Sequence, residues 1–223
     1  MSLKSFTQSL ARDGVEGELV KTTFVSLCTS FITLGILYFL VLQYVENFIS
    51  RYGFFIFFSL FSYALILPST KHVKGYKEFP CMSGMMIGMT IGMIAGFLPG
   101  FYVAATNGMF YGGTFGMILG ILFGVWNGRC CGVMGVMEGI MAGFMGGLMG
   151  AMTAFMLLND HLTYASIIVF FISAIIIYGL NYMIFKESSQ LEKEIRNGNF
   201  MIILLSFILT VITVLLMVYR GHL

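Results

Sequence analysis

Residues 83–104, SGMMIGMTIGMIAGFLPGFYVA, carry no charged side chain over 22 positions. The run is continuous rather than alternating, and about 20 such residues suffice to cross roughly 30 Å of hydrocarbon as a helix. A helix bonds its own N–H and C=O groups, which lipid demands of any backbone that crosses it. Within the run Gly84, Gly88, Gly92, Gly96 and Gly100 recur at every fourth residue. Residues four apart share a helix face, so one side of this span is predicted to be bare backbone that a neighbouring helix can approach closely.

Outward from this stretch the same signal recurs on both sides. The expected fold class is all-α, a polytopic transmembrane bundle of about seven spans at 24–45, 52–70, 83–104, 108–126, 132–158, 164–185 and 200–219. Residues 24–223 then form one membrane domain, preceded by a polar arm at 1–23. Leu3, Phe6 and Leu10 at helical spacing would let that arm lie on the membrane surface. The arm delays the first apolar run too long for a cleavable signal peptide. At 58% hydrophobic and 10% charged residues, with mean hydropathy +0.93, the chain does not read as a soluble domain, which is typically about a quarter charged. A net charge of +2, scattered along the chain, gives no reason to expect a nucleic-acid partner.

The cations orient the bundle. With the N-terminus in the cytoplasm, Lys4, Arg12, Lys21, Lys71, Lys74, Lys77, Arg129, Lys186, Lys193 and Arg196 fall inside, and only Arg51 and Arg220 fall outside. The expectation is a multi-pass protein of the plasma membrane with a cytoplasmic N-terminus and an external C-terminus. That topology, with no lysine between Phe200 and Tyr219 to form a Schiff base, argues against a retinal or hormone receptor.

The middle of the chain differs from its flanks. Of 27 glycines, 19 lie between Gly84 and Gly150, and 14 of 18 methionines lie between Met82 and Met156. Gly112, Gly116, Gly120 and Gly124 continue the four-residue step in the fourth span, and Gly135, Gly139 and Gly143 in the fifth. Spans three to five are therefore expected to form a glycine-zipper inner layer, with the bulkier first, second, sixth and seventh spans facing lipid. In the fifth span Met134, Met145 and Met156 are each 11 residues apart, a period that favours a right-handed supercoil. Methionine is flexible and suits irregular gaps, so one expectation is that it packs opposite glycine.

The sharper expectation is chemical. Thiolate and thioether sulfurs prefer Cu(I)-like soft ions over hard cations. The topology gathers Cys81, Cys130 and Cys131 at the cytoplasmic ends of spans three to five, where reduced thiols persist. Met82, Met85, Met86, Met89, Met134 and Met137 would continue sulfur ligation into the membrane. Cys28, mid-span, reads as a buried small hydrophobe. Glu138 is the acidic residue set well inside a span. An ionised carboxylate at the bilayer centre costs about 2.5–3.5 kcal/mol on insertion scales, which marks Glu138 as a proton carrier, a cation ligand or a hydrogen-bonding contact between helices. Asn107-Gly108 reads as a tight outside turn, Asp160 and His161 as a solvated loop, Trp126, Asn127 and Arg129 as an interfacial anchor, and Pro99 as a kink.

The Cys130-Cys131 pair resembles bacterial mercuric transport proteins, and the steps Met85, Met89 and Met93 resemble copper uptake transporters; each resemblance covers a few residues, and both families have fewer spans. A small-ion transporter or channel, with a soft metal ion as the possible substrate, is the first function expected. The alternative is a non-catalytic assembly or scaffold protein whose glycine-rich helices pack with one another, with a second copy or with a partner subunit in the bilayer. An enzyme is not expected, because the sequence has neither paired acidic motifs nor His-Glu-x-x-His.

Overall fold

The computed structural model describes residues 17–40, 48–74, 81–129, 132–187 and 199–220. They form seven helices and no strand: α1 (Gly17–Leu40), α2 (Phe48–Lys74), α3 (Cys81–Asn107), α4 (Met109–Gly128), α5 (Gly132–Met156), α6 (Leu162–Glu187) and α7 (Asn199–Arg220). All seven are long and apolar enough to cross a membrane, so the chain is a multi-pass all-α bundle that takes the bilayer as its solvent. The possible surface helix in the arm falls mostly on residues 1–16, outside the described residues.

Several boundaries move from their expected places. α1 begins at Gly17 and takes in Lys21, and α2 runs on to Lys74, taking in Lys71 and His72. Backbone hydrogen bonding continues wherever a helix can extend into the interface, while hydropathy alone stops at the first polar cluster. α3 passes through Pro99 and α2 through Pro68 without ending. Between α3 and α4 the turn is a single residue, Gly108, with φ +89°, a conformation that glycine adopts without Cβ strain.

α3 is the axis of the bundle, with 72% of its span buried against 22% for α1. One face meets α4 and α5, and the opposite face meets α2, α6 and α7. The first contact is made by backbone. A Cβ placed on Gly92 would lie 3.0 Å from the Gly124 Cα and 3.2 Å from the Gly139 oxygen. One placed on Gly100 would lie 2.9 Å from the Gly147 oxygen and 3.5 Å from the Gly116 Cα. Gly88 meets Gly128, Gly128 meets Gly135, Gly96 meets Gly143, and Gly143 meets Gly120. The three helices thus share a register: every four-residue step along α3 is matched by four residues back along antiparallel α4 and four forward along parallel α5. Glycine meets glycine at successive levels, and Ala104 against Gly112 continues the series.

The other face of α3 is ordinary side-chain packing. Ile87, Ile91, Leu98 and Tyr102 are buried with Leu60, Tyr63 and Leu67 of α2 and Leu209 and Met217 of α7. Hydroxyl groups tie α1 to α7: Ser30 and Ser206 share a 2.8 Å hydrogen bond, Thr29 donates to Ser206 at 3.3 Å, and Thr210 donates to Ser30 at 3.5 Å. Tyr63 and Thr213 add a 2.7 Å bond between α2 and α7.

Candidate functional site

On α5 the buried positions are Gly135, Gly139, Ala142, Gly143, Gly146, Gly147, Gly150, Ala151 and Ala154. The methionines take the remaining faces and point out of the bundle. Met134, Met137, Met141, Met145, Met149, Met152 and Met156 are all exposed, as are Met82, Met86 and Met89 on α3, over a range from 46% (Met152) to 81% (Met82). Met85 is half-buried. The expectation that methionine fills the space opposite glycine is therefore corrected: what lies opposite glycine is the backbone of another glycine, and no volume is left there for a thioether. The thioethers occupy the outer surface of the α3–α5 plate instead.

Glu138 lies on the same side of α5. It is 7 residues before Met145 and 11 before Met149, spacings that return to nearly the same angle on a helix. It is half-buried. Gly146 packs on the Met93 backbone and Gly150 on that of Phe97, a parallel register that puts Glu138 at the level of Met85. Among the described residues no hydrogen bond or ion pair reaches its carboxylate. Six residues from the start of α5 place it roughly 9 Å along the helix axis.

The expected gathering of cysteine side chains lies outside the described residues. Cys81 opens α3, but its side chain lies outside the described residues, and so do Cys130 and Cys131. Among the described residues no group of three or more His, Cys, Asp and Glu side chains gathers where it could hold a metal ion. Cys28 is a correction: it is exposed, because the inward face of α1 is taken by buried Ser26, Ser30 and Thr33, of which Ser30 enters the hydroxyl seam with α7. Asp160 and His161 are exposed in the turn before α6. Asn107 donates its amide to the Leu216 carbonyl and so pins the α3–α4 turn to α7. Asn127 is buried and donates to the Phe123 carbonyl at 2.8 Å, half-buried Trp126 packs against Phe123, and Arg129 is exposed.

A polar group that the sequence reading missed lies between α2 and α6. His72, 2% exposed, places Nδ1 3.2 Å from Asn181 Oδ1, and Asn181 Nδ2 donates to Ser69 Oγ at 3.1 Å. Asn181, an amide inside an otherwise apolar span, was the available signal. His72 gave none while α2 was taken to end at Thr70. Beside this group, α1, α2 and α6 line an open-sided cavity of about 470 Å³, mostly apolar, with Ser69 and Asn181 at one end.

No protein-family model, curated protein or solved structure matches this chain.

Proposed function

We propose that this protein is a non-catalytic membrane assembly module, in which the glycine-packed plate of α3, α4 and α5 presents its methionine surface to another membrane-embedded helix. The observation that carries this reading is Glu138, a carboxylate within a span, on an outward methionine face, with no hydrogen-bonding partner among the described residues. Polar groups in that position are costly against lipid and are usually covered by protein. Methionine suits the covering contact because its flexible thioether adapts to an irregular partner. The rigid backbone-to-backbone core supports the reading, since it holds the two outward edges of α3 and α5 in fixed relation.

The test is cross-linking in native membranes. In a variant stripped of its own cysteines, a single cysteine replacing Met145 should form an oxidative cross-link to a second copy or to a subunit that co-purifies, and a cysteine replacing Phe171 on α6 should not. Equal cross-linking from both positions, or none from any site on the methionine face, would sink the reading.

A second reading keeps the sulfur chemistry. Because α3 and α5 both carry exposed thioethers, two copies meeting on these faces would line the contact between them with methionine and Glu138, giving a soft ion a route between copies rather than through one. Cu(I) binding to purified oligomer, compared with a Cys81→Ser, Cys130→Ser, Cys131→Ser variant and with Met86→Leu, Met89→Leu, Met137→Leu, tests it. Tight stoichiometric binding lost in either variant supports the route, and binding unchanged in both removes it.

A further inference from the structure

The cavity between α1, α2 and α6 has features that neither reading above uses. Its walls are Leu19, Val20, Pro68, Ala174, Ile177 and other apolar side chains, and Ser69 and Asn181 supply polar groups at one end. Val20, Ile175 and Tyr178 on its rim are exposed, so it opens sideways into the bilayer. Pro68 has no N–H to offer the carbonyl of Ala64 one turn back, which leaves a backbone acceptor in a wall of the cavity. Apart from Phe171 and Ala174, in the outer half and at the middle of α6, the lining residues belong to the halves of α1, α2 and α6 that the lysine distribution assigns to the cytoplasmic leaflet.

Cations lie toward the same end of these helices. Lys71 is half-buried and donates to Thr22 Oγ1 at 3.5 Å, which holds its ammonium against α1. Lys21 is exposed one residue after the lining residue Val20, about 100° further round α1 and off the wall of the slot. Lys186 is exposed five residues, or roughly 7.5 Å, beyond Asn181 on α6. An apolar slot open to lipid, a few hydrogen-bonding groups at one end and lysines beyond them reproduce in order the parts of an acyl chain, a glycerol-ester region and a negative headgroup. Basic pockets between transmembrane helices on the cytoplasmic side recognise such headgroups.

We propose that this cavity is a binding site for a single glycerophospholipid with an anionic headgroup, its acyl chain between α1 and α6 and its phosphate held by Lys71, with Lys21 adding positive charge at the same level of the membrane. The buried His72–Asn181–Ser69 chain fixes Asn181 at the ester level, so Asn181 is a positioning contact and the lysines set the charge preference.

Native mass spectrometry of the detergent-purified full chain, titrated with phosphatidylglycerol or with phosphatidylcholine of the same acyl chains, tests this. The expected result is one retained phosphatidylglycerol, bound about tenfold or more tightly than phosphatidylcholine, given the pull of two lysines on an anionic lipid. Lys21→Ala with Lys71→Ala should bring the two lipids to equal retention, and Lys21→Arg with Lys71→Arg should restore the preference. Ala174→Phe, which fills the slot, should abolish retention of both. If Ala174→Phe does not fold, a series of lysophosphatidylglycerols of increasing chain length on the unaltered protein replaces it, and retention should rise with length. Equal binding of the two lipids by the unaltered protein, or a preference untouched by the lysine-to-alanine pair, would overturn the proposal. So would retention that ignores both the filled slot and chain length.

Discussion

The two sides of α3 solve one problem in different ways. Toward α4 and α5 the helices meet backbone to backbone, with no side chain between Gly92, Gly124 and Gly139. Toward α2 and α7 they meet through large side chains, Tyr63, Leu98, Phe101 and Tyr102 among them, and hydroxyl pairs such as Ser30 with Ser206 add ties between α1 and α7. In lipid there is no hydrophobic gain from bringing two apolar helices together, so association depends on van der Waals contact and interhelical hydrogen bonds. The glycine side relies on the first and has no tolerance for added volume. The hydroxyl seam relies partly on the second and gives up only a modest amount with each bond.

The largest expected effect comes from breaking the glycine side. Gly143→Val puts a branched side chain against the backbone of Gly120 and Ile121, which cannot yield as a side-chain tip would. We expect little or no folded protein, measured as the monodisperse fraction after extraction. Gly92→Ala adds one methyl 3.0 Å from the Gly124 Cα and should cost about 1–3 kcal/mol in unfolding by denaturing detergent, the usual range for overpacking.

On the hydroxyl side, Ser206→Ala removes the group that meets both Ser30 and Thr29, and the expected loss is about 0.6 kcal/mol with a ceiling near 1.7. A loss as large as that of Gly92→Ala would erase the contrast between the two sides. Smallest of all are the glycines outside the plate. Gly35 and Gly179 have open space around the position of a Cβ, so alanine there should be neutral or stabilise by about 0.4–1 kcal/mol, read in the same unfolding assay.

Glu138 belongs to neither packing side and probes the outer face of α5. If its carboxylate is covered by another helix, Glu138→Leu should shift the purified protein toward the monomer in light scattering while the unfolding of the monomer stays within about 0.5 kcal/mol, the usual range for surface substitutions. A variant that unfolds readily as a monomer would show instead that Glu138 supports the plate itself.

Run length and periodicity were enough to establish that the chain spans a membrane, that it does so as seven helices, and which residues bring backbones together. Each of these rests on a period or a run length that any helix in lipid must obey: about 20 apolar residues per span, and a four-residue step for one face. The place of the methionines became legible only once the helices were packed together. A step of three or four residues places them on one side of α5, but nothing in that spacing says whether the side is inward. The glycines claimed the inward face because three backbones can close on one another only where all three lack side chains, and the thioethers were left outside. The same holds for His72, Asn181 and Ser69, which are 109 and 112 residues apart across their two hydrogen bonds and become one group only when α2 and α6 lie side by side.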